Sequence, residues 1–354
     1  MKQLTESLAQ SLPLATAQVA VAVGQLVDER VAAETKAGFL AALARKGETT
    51  GEIAAFAGEL RARSLPVPLD TETRAHEILD VCGTGGDHLK TFNISTTVAL
   101  VAAAAGVLVA KHGNRAVTSN SGSADVLEAL GIPIELTPKE AARSLRENGF
   151  AFFFAPKFHP AFKHIGPARK LCAERGQRTI FNFLGPLLNP AWPSAQLVGV
   201  PRPKLCEPLA RVLQSLGVRR GLVVSGEVSN SPPGQPPPAN GNLDEFSTLG
   251  DNTLAEFYQD CGFSTSVMSP RDFPLQPATL ADLAGGNCQA NAEIIRRLLR
   301  GEERGPKRDA VLLNAAAALF VAGKTRSLAE GWEVAAEVID SGKASAKLAE
   351  LARP

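Results

Sequence analysis

Two polar, glycine-bearing loops, each directly following a short apolar run, constrain this chain more than any other feature. Ile78-Leu-Asp-Val-Cys82 reads as a strand and runs straight into Gly83-Thr-Gly-Gly-Asp87. A helical stretch over 96–105 follows, with four consecutive alanines that would let it lie close on a sheet. A second strand over 107–111 then opens into the polar loop 112–121, and a second helix over 123–130 closes at Gly131. This is a βαβα unit, and a crossover of that kind makes its strands parallel. Both loops then open at the carboxyl edge of one sheet, where open α/β folds bind ligands.

The rest of the chain fits around that unit. Residues 4–63 carry a helical apolar spacing with no alternating β-branched run, and a proline-broken linker, Arg63-Ser-Leu-Pro-Val-Pro-Leu69, follows. Further strands are expected over 150–154, 197–200 and 221–225, and helices over 204–216, 290–300, 309–322 and 327–340. The fold class is therefore α/β: a small all-helical N-terminal domain and a larger α/β domain with a mainly parallel central sheet. The segment 229–240 holds five prolines and reads as a loop without a core of its own.

Composition narrows the function. Lys and Arg total 37 and Asp and Glu 36, a net +1, which argues against a globally basic nucleic-acid binder. The longest mostly apolar run, 98–110, is well short of the ~20 residues that span a bilayer. Five cysteines without CxxC spacing read as reduced thiols of a cytoplasmic protein, and the five histidines have no metal-triad spacing. No secretory signal is visible, and the sequence shows no G-x-S-x-G elbow, P-loop or Rossmann fingerprint.

Four constellations carry chemistry. The Gly83–Asp87 loop, followed by Asn93, Ser95 and Thr96 at a helix start, offers backbone amides and hydroxyls to a phosphate. Without the second group it would read as an ordinary tight turn. Lys111-His-Gly-Asn-Arg115, continuing through Ser119, Ser121 and Ser123, adds charge and short donors. Asp244-Glu245 would be a surface pair by itself. Facing a polyphosphate, it could hold Mg2+, which takes one or two carboxylates plus substrate oxygens. His159 in His-Pro-Ala and Arg169 could receive a carboxylate, Arg with bidentate geometry, or could be charges on a helix surface.

Taken together, GTGGD…TFNIST, KHGNRAVTSNSGSADVLEALG, HPAFKH…ARK, RTIFNFLGPLLNP and NLDEFS resemble, in order and spacing, the anthranilate phosphoribosyltransferases. KGET in the N-terminal helices and LNAAAALFVAG near the C-terminus resemble them too. The resemblance covers nearly the whole chain. It implies a helical domain (1–72, joined by a segment at about 162–190) hinged to an α/β domain (73–161 and 191–354), and a homodimer formed through the helical domains. It implies transfer of phosphoribose from phosphoribosyl pyrophosphate to the amine of anthranilate, in tryptophan biosynthesis, with two Mg2+ ions per subunit.

By motif position, phosphoribosyl pyrophosphate would meet Gly83, Gly86, Asp87, Thr91, Asn93, Ile94, Ser95, Thr96, Lys111, His112, Gly113, Asn114, Arg115, Ala116, Val117, Thr118, Ser119 and Ser123. Anthranilate would meet Gly83, Asn114, Arg169, His112 and His159; Mg2+ would meet Ser95, Asp244 and Glu245. No nucleophile or essential base is implied, and Lys111 with the metal would stabilise the transition state. Three departures stand out: His88 replaces a glycine, the segment 170–178 is about three residues long for the pattern, and the proline loop is inserted before the acidic pair. The rivals are a pyrimidine nucleoside phosphorylase-like enzyme, which would carry a different Lys-Ser-Gly-Arg-type loop, and a non-catalytic nucleic-acid-binding paralogue.

Overall fold

The computed structural model describes residues 1–116, 121–229, 241–259 and 262–353. Val117, Thr118 and Ser119, and all but the first residue of the proline loop, lie outside the described residues.

The N-terminal region folds as α1 (Lys2–Ala9), α2 (Thr16–Val27), α3 (Ala33–Lys46) and α4 (Thr50–Arg61). Their buried residues fall at helical spacing: Val19, Val23 and Leu26; Phe39, Leu40 and Leu43; Phe56 and Leu60. KGET is what starts α4. Thr49 and Glu52 form a reciprocal capping box, and the buried Glu52 carboxylate also binds Lys46 Nζ at 2.7 Å and the Leu14 amide at 2.9 Å. One acidic side chain thus joins three segments. The segment after α4 is not a free linker, because the Leu65 amide donates to Phe158 O at 2.8 Å and Leu65, Val67 and Leu69 pack on a buried cluster.

The sheet holds β1 (Ile78–Gly83), β2 (Leu108–Gly113), β3 (Phe150–Phe154), β4 (Ala195–Gly199), β5 (Arg220–Glu227), β6 (Asn242–Leu243), β7 (Asn252–Tyr258) and β8 (Gly262–Met268). Its order is β3-β2-β1-β4-β5-β7-β8, with β6 paired to β5. The first five strands in that order are parallel; β6, β7 and β8 are antiparallel additions. From β1 the chain builds to one side through β2 and β3, then returns to add β4 and β5 on the other. The strand order therefore reverses between β1 and β4, and a crevice opens at their carboxyl ends.

The strands differ from the sequence reading at the end of β2 and beyond β5. β2 continues through His112 and Gly113, which pair with Phe153 and Phe154, so His112 sits in the strand with Lys111 rather than at the start of a loop. β7 and β8 were not expected at all.

Each sheet face has its own core. The helices Ile94–Ala104, Pro306–Val321 and Leu328–Asp340 cover one face. On the other, Val198, Val200, Val223 and Phe257 join the apolar faces of α2, α3 and α4 in one cluster, together with the Cys206–Ser215 helix. The helix Gly166–Glu174 lies against α3; Lys36 Nζ donates to His164 O at 2.8 Å, and Cys172 Sγ contacts Ala37 O.

Candidate active site

A cavity of about 450 Å3 opens where the strand order reverses. Gly83 at the end of β1 is in register with Gly199 at the end of β4, and the Asp244 backbone and side chain cross directly over both. A methyl group at either position would collide with Asp244. Glycine at both strand ends is what lets an acidic segment lie across the crevice.

Asp244 Oδ2 accepts the Gly85 amide at 2.6 Å, and Glu245 Oε1 accepts the Ser95 amide at 3.2 Å. The acidic pair therefore ties the GTGGD loop to the start of the Ile94–Ala104 helix. Burial, the charge of Asp87 and that of Glu245 hold the Asp244 carboxyl well above the usual carboxylate range; burial and Asp87 lift Glu245 to about 7, while Lys111 and the Ser95 amide pull it the other way. Acids raised in this way are relieved by a cation, and with Ser95 they make a hard oxygen donor set suited to Mg2+. Among the described residues no group of three His, Cys, Asp or Glu could hold a metal ion alone. A cation here needs oxygens from a substrate, which is how Mg2+ is usually held.

Lys111 is buried in β2 with its Nζ donating to Val81 O at 2.7 Å. It lines the cavity floor, and burial pulls its amine below the usual lysine range while Asp80 and Glu245 oppose that. Asp80, in the middle of β1, accepts Asn189 Nδ2 at 2.9 Å and the His112 amide at 3.3 Å, and burial lifts its carboxyl to about 6. A lone acid inside an apolar strand is a signal the sequence carries. Asn93 does not cap its helix with its side chain; it donates to Ser121 O and accepts from Asn291, so it ties loops together.

The opposite end of the cavity is aromatic. The His112 and His159 rings meet edge to face at 5.3 Å, His159 lies 5.0 Å from Phe162, and Phe162 lies 5.9 Å from Phe181. The Arg169 guanidinium sits over Phe181 at 5.2 Å and makes no ion pair among the described residues. Burial depresses the histidines to about 3 for His112, helped by neighbouring His159, and about 4 for His159. Both rings are neutral at pH 7. His112 Nδ1 lies 3.2 Å from Gly185 O, while its Nε2 is unbonded. The His159 ring sits beside the Leu188 backbone without a hydrogen bond of normal geometry.

Of the residues named from sequence, Gly83, Gly86, Asp87, Thr91, Asn93–Thr96, Lys111–Asn114, Ser123, His159, Arg169, Asp244 and Glu245 line this one cavity. Arg115 and Ala116 do not. Arg115 is held outside by Asp125 at 3.0 Å and Glu128 at 2.9 Å, and the Ala116 amide donates to Asp125. His88 takes the left-handed conformation (φ 61°) that glycine adopts freely, and histidine tolerates it better than most side chains. Phe162, Phe181, Gly185 and Pro186 also line the cavity and were not singled out beforehand. The phenylalanines lie in runs that read equally well as core.

Residues 75–345 match the glycosyl transferase family a/b domain and residues 2–64 its helical bundle domain. Anthranilate phosphoribosyltransferase of Petrotoga mobilis is 46% identical over 93% of this chain and 90% of its own length. This chain belongs to the anthranilate phosphoribosyltransferase family. The crystal structure of the family member from Thermus thermophilus is similar with a TM-score of 0.86 at 41% identity, covering 99% of this chain and 98% of that one. The Saccharomyces cerevisiae member, solved in complex with PRPP and Mg, gives 0.81 at 28% identity over 95% of this chain and 91% of that one. Membership sets aside the phosphorylase and nucleic-acid alternatives.

Proposed function

We propose that this protein transfers the 5-phosphoribosyl group from phosphoribosyl pyrophosphate to the amine of anthranilate, giving N-(5-phosphoribosyl)anthranilate and pyrophosphate. The observation that carries the reading is one cavity with two unlike ends. Glycine loops, helix-start amides and an acidic pair form one end; an aromatic slot ending in the unpaired Arg169 forms the other.

The amides of the GTGGD loop and the turn before the Ile94–Ala104 helix suit the phosphates, and Lys111 adds a buried positive charge behind them. Arg169 suits the anthranilate carboxylate as a bidentate partner, with the ring between His112, His159, Phe162 and Phe181. In the reaction the anthranilate nitrogen bonds to C1 of the ribose, the C1–O bond to pyrophosphate breaks, and the nitrogen loses a proton. An aromatic amine is neutral at pH 7, so no strong base is required. The neutral histidines also place no cation beside the positive charge developing on the ribose. Alignment and exclusion of water fall to the slot and loops. Ser95, Asp244 and Glu245 would hold Mg2+, which would neutralise the leaving pyrophosphate; two ions per subunit remain part of the proposal.

Residues 1–72 with 162–190 would move as a unit against 73–161 and 191–354. The exposed apolar residues Leu12 and Val21 support dimerisation through that unit. Four described cysteines are free, which supports a cytoplasmic setting; among the described residues no helix is long and apolar enough to cross a membrane. The reaction is tested by incubating the protein with both substrates and Mg2+ and identifying products by mass. Equal yields of pyrophosphate and phosphoribosyl anthranilate are expected; pyrophosphate without the adduct would refute the acceptor.

A further inference from the structure

Arg169 is a desolvated guanidinium without an acid, waiting for a substrate carboxylate. Arg61 repeats that signature far from the cavity. It closes α4, is only 4% exposed, and stacks 3.7 Å over the Trp192 ring. Among the described residues its guanidinium makes one hydrogen bond, from Nη2 to Leu216 O at 3.1 Å; Nε has no partner, and it forms no ion pair. Burial alone brings it down to about 10. Buried charges in folded proteins are ordinarily paired.

The missing partner has a place to sit. A cleft of about 190 Å3 lies at the amino-terminal edge of the sheet, the end opposite the active cavity, and shares no residue with it. Arg61, Arg74, His76, Trp192 and Arg219 line it. Arg74 spends Nη1 on the Ala191 and Trp192 carbonyls and has no acid partner among the described residues, while Arg219 pairs with Glu77 at 3.0 Å. Three guanidinium groups against one carboxylate leave two positive charges. A monocarboxylate would satisfy one arginine, whereas a phosphoryl group has charge and oxygens for both.

We propose that this cleft binds a small phosphate dianion, inorganic phosphate or a phosphomonoester, between Arg61 and Arg74 with the Trp192 ring as its floor. Arg61 comes from the helical region, and Trp192 and Arg219 from the α/β region, so the occupant would bridge the two. The proposal stands apart from the transferase reading.

The chain has two tryptophans, and Trp332 is buried elsewhere beside Phe273, so a Trp332→Phe background isolates Trp192. Inorganic phosphate and glycerol 2-phosphate would be titrated against sodium chloride at matched ionic strength, with and without saturating phosphoribosyl pyrophosphate and Mg2+. A saturable change in Trp192 fluorescence is expected, unaffected by the substrate and weakened at least about tenfold by Arg61→Met and by Arg74→Gln. Arg74 lies on the exposed rim, so its variant keeps the test sound should Arg61→Met fail to fold. Tighter binding of the ester would identify an organic phosphate as occupant, and equal or weaker binding the free ion. A response no larger than chloride gives, one indifferent to Arg74→Gln, or one abolished by the substrate would overturn the proposal.

Discussion

At the scale of single residues, the division of labour in the cavity follows from which charges are already satisfied. Arg169 faces the aromatic slot unpaired, so Arg169→Ala should raise the anthranilate KM at least about tenfold and leave that for phosphoribosyl pyrophosphate nearly unchanged. Lysine should rescue in part, since a point charge lacks the planar fork. Arg115 belongs to the same basic motif as Lys111 but is engaged by Asp125 and Glu128. Arg115→Ala should therefore alter the phosphoribosyl pyrophosphate KM little, and initial-rate kinetics of both variants check the contrast. The extra residues at 170–178 leave Arg169 on the cavity wall. Arg175 is exposed, and Arg178 lies near Gly86 rather than in the aromatic slot.

At the scale of elements, Glu52 shows how a sequence motif can be structural. Removing its carboxylate strands the buried Lys46 and releases the Leu14 and Thr49 amides. Glu52→Ala should cost about 3–5 kcal/mol in urea unfolding, as breaking one side of a buried pair does; a loss within experimental error would contradict that reading. The βαβα unit was legible because strand, glycine loop, small-residue helix and second strand each point the same way. β8 was not: most of its residues are exposed, so it carries no apolar face to read. β7 does carry one, with Ala255 and Phe257 buried on the face shared with the helical region, and the helix Pro138–Asn148 opens on a Thr137–Glu140 capping box. Those signals were present and unused. The loop residues of the site were legible by type and spacing. Its aromatic wall was not, since Phe162 and Phe181 meet only through tertiary packing.

For the whole molecule, the neutral buried histidines make stability depend on pH. His159 sits at about 4 folded and near 6.5 unfolded, so between those values the unfolded chain binds more protons. Its contribution is present in full above pH 6.5 and is lost as pH falls towards 4. Relative to His159→Phe, the wild type should lose about 3 kcal/mol of unfolding free energy across that window. A pH-independent difference would mean that the ring is protonated in place. The same molecule carries its candidate active site at one edge of the sheet, with the helical region packed on one face and sharing a core with it.

The central claim is that the acidic pair serves a metal-dependent phosphoribosyl transfer while the aromatic slot holds anthranilate. Its most direct measurement is the loss of anthranilate fluorescence with phosphoribosyl pyrophosphate across a Mg2+ titration, for the wild type and for Asp244→Asn with Glu245→Gln. The wild type should consume anthranilate only when both substrates and Mg2+ are present, and the double variant should remain folded, by circular dichroism, yet inactive at every Mg2+ concentration. Wild-type turnover that persists in the folded double variant with the same Mg2+ dependence would contradict the account.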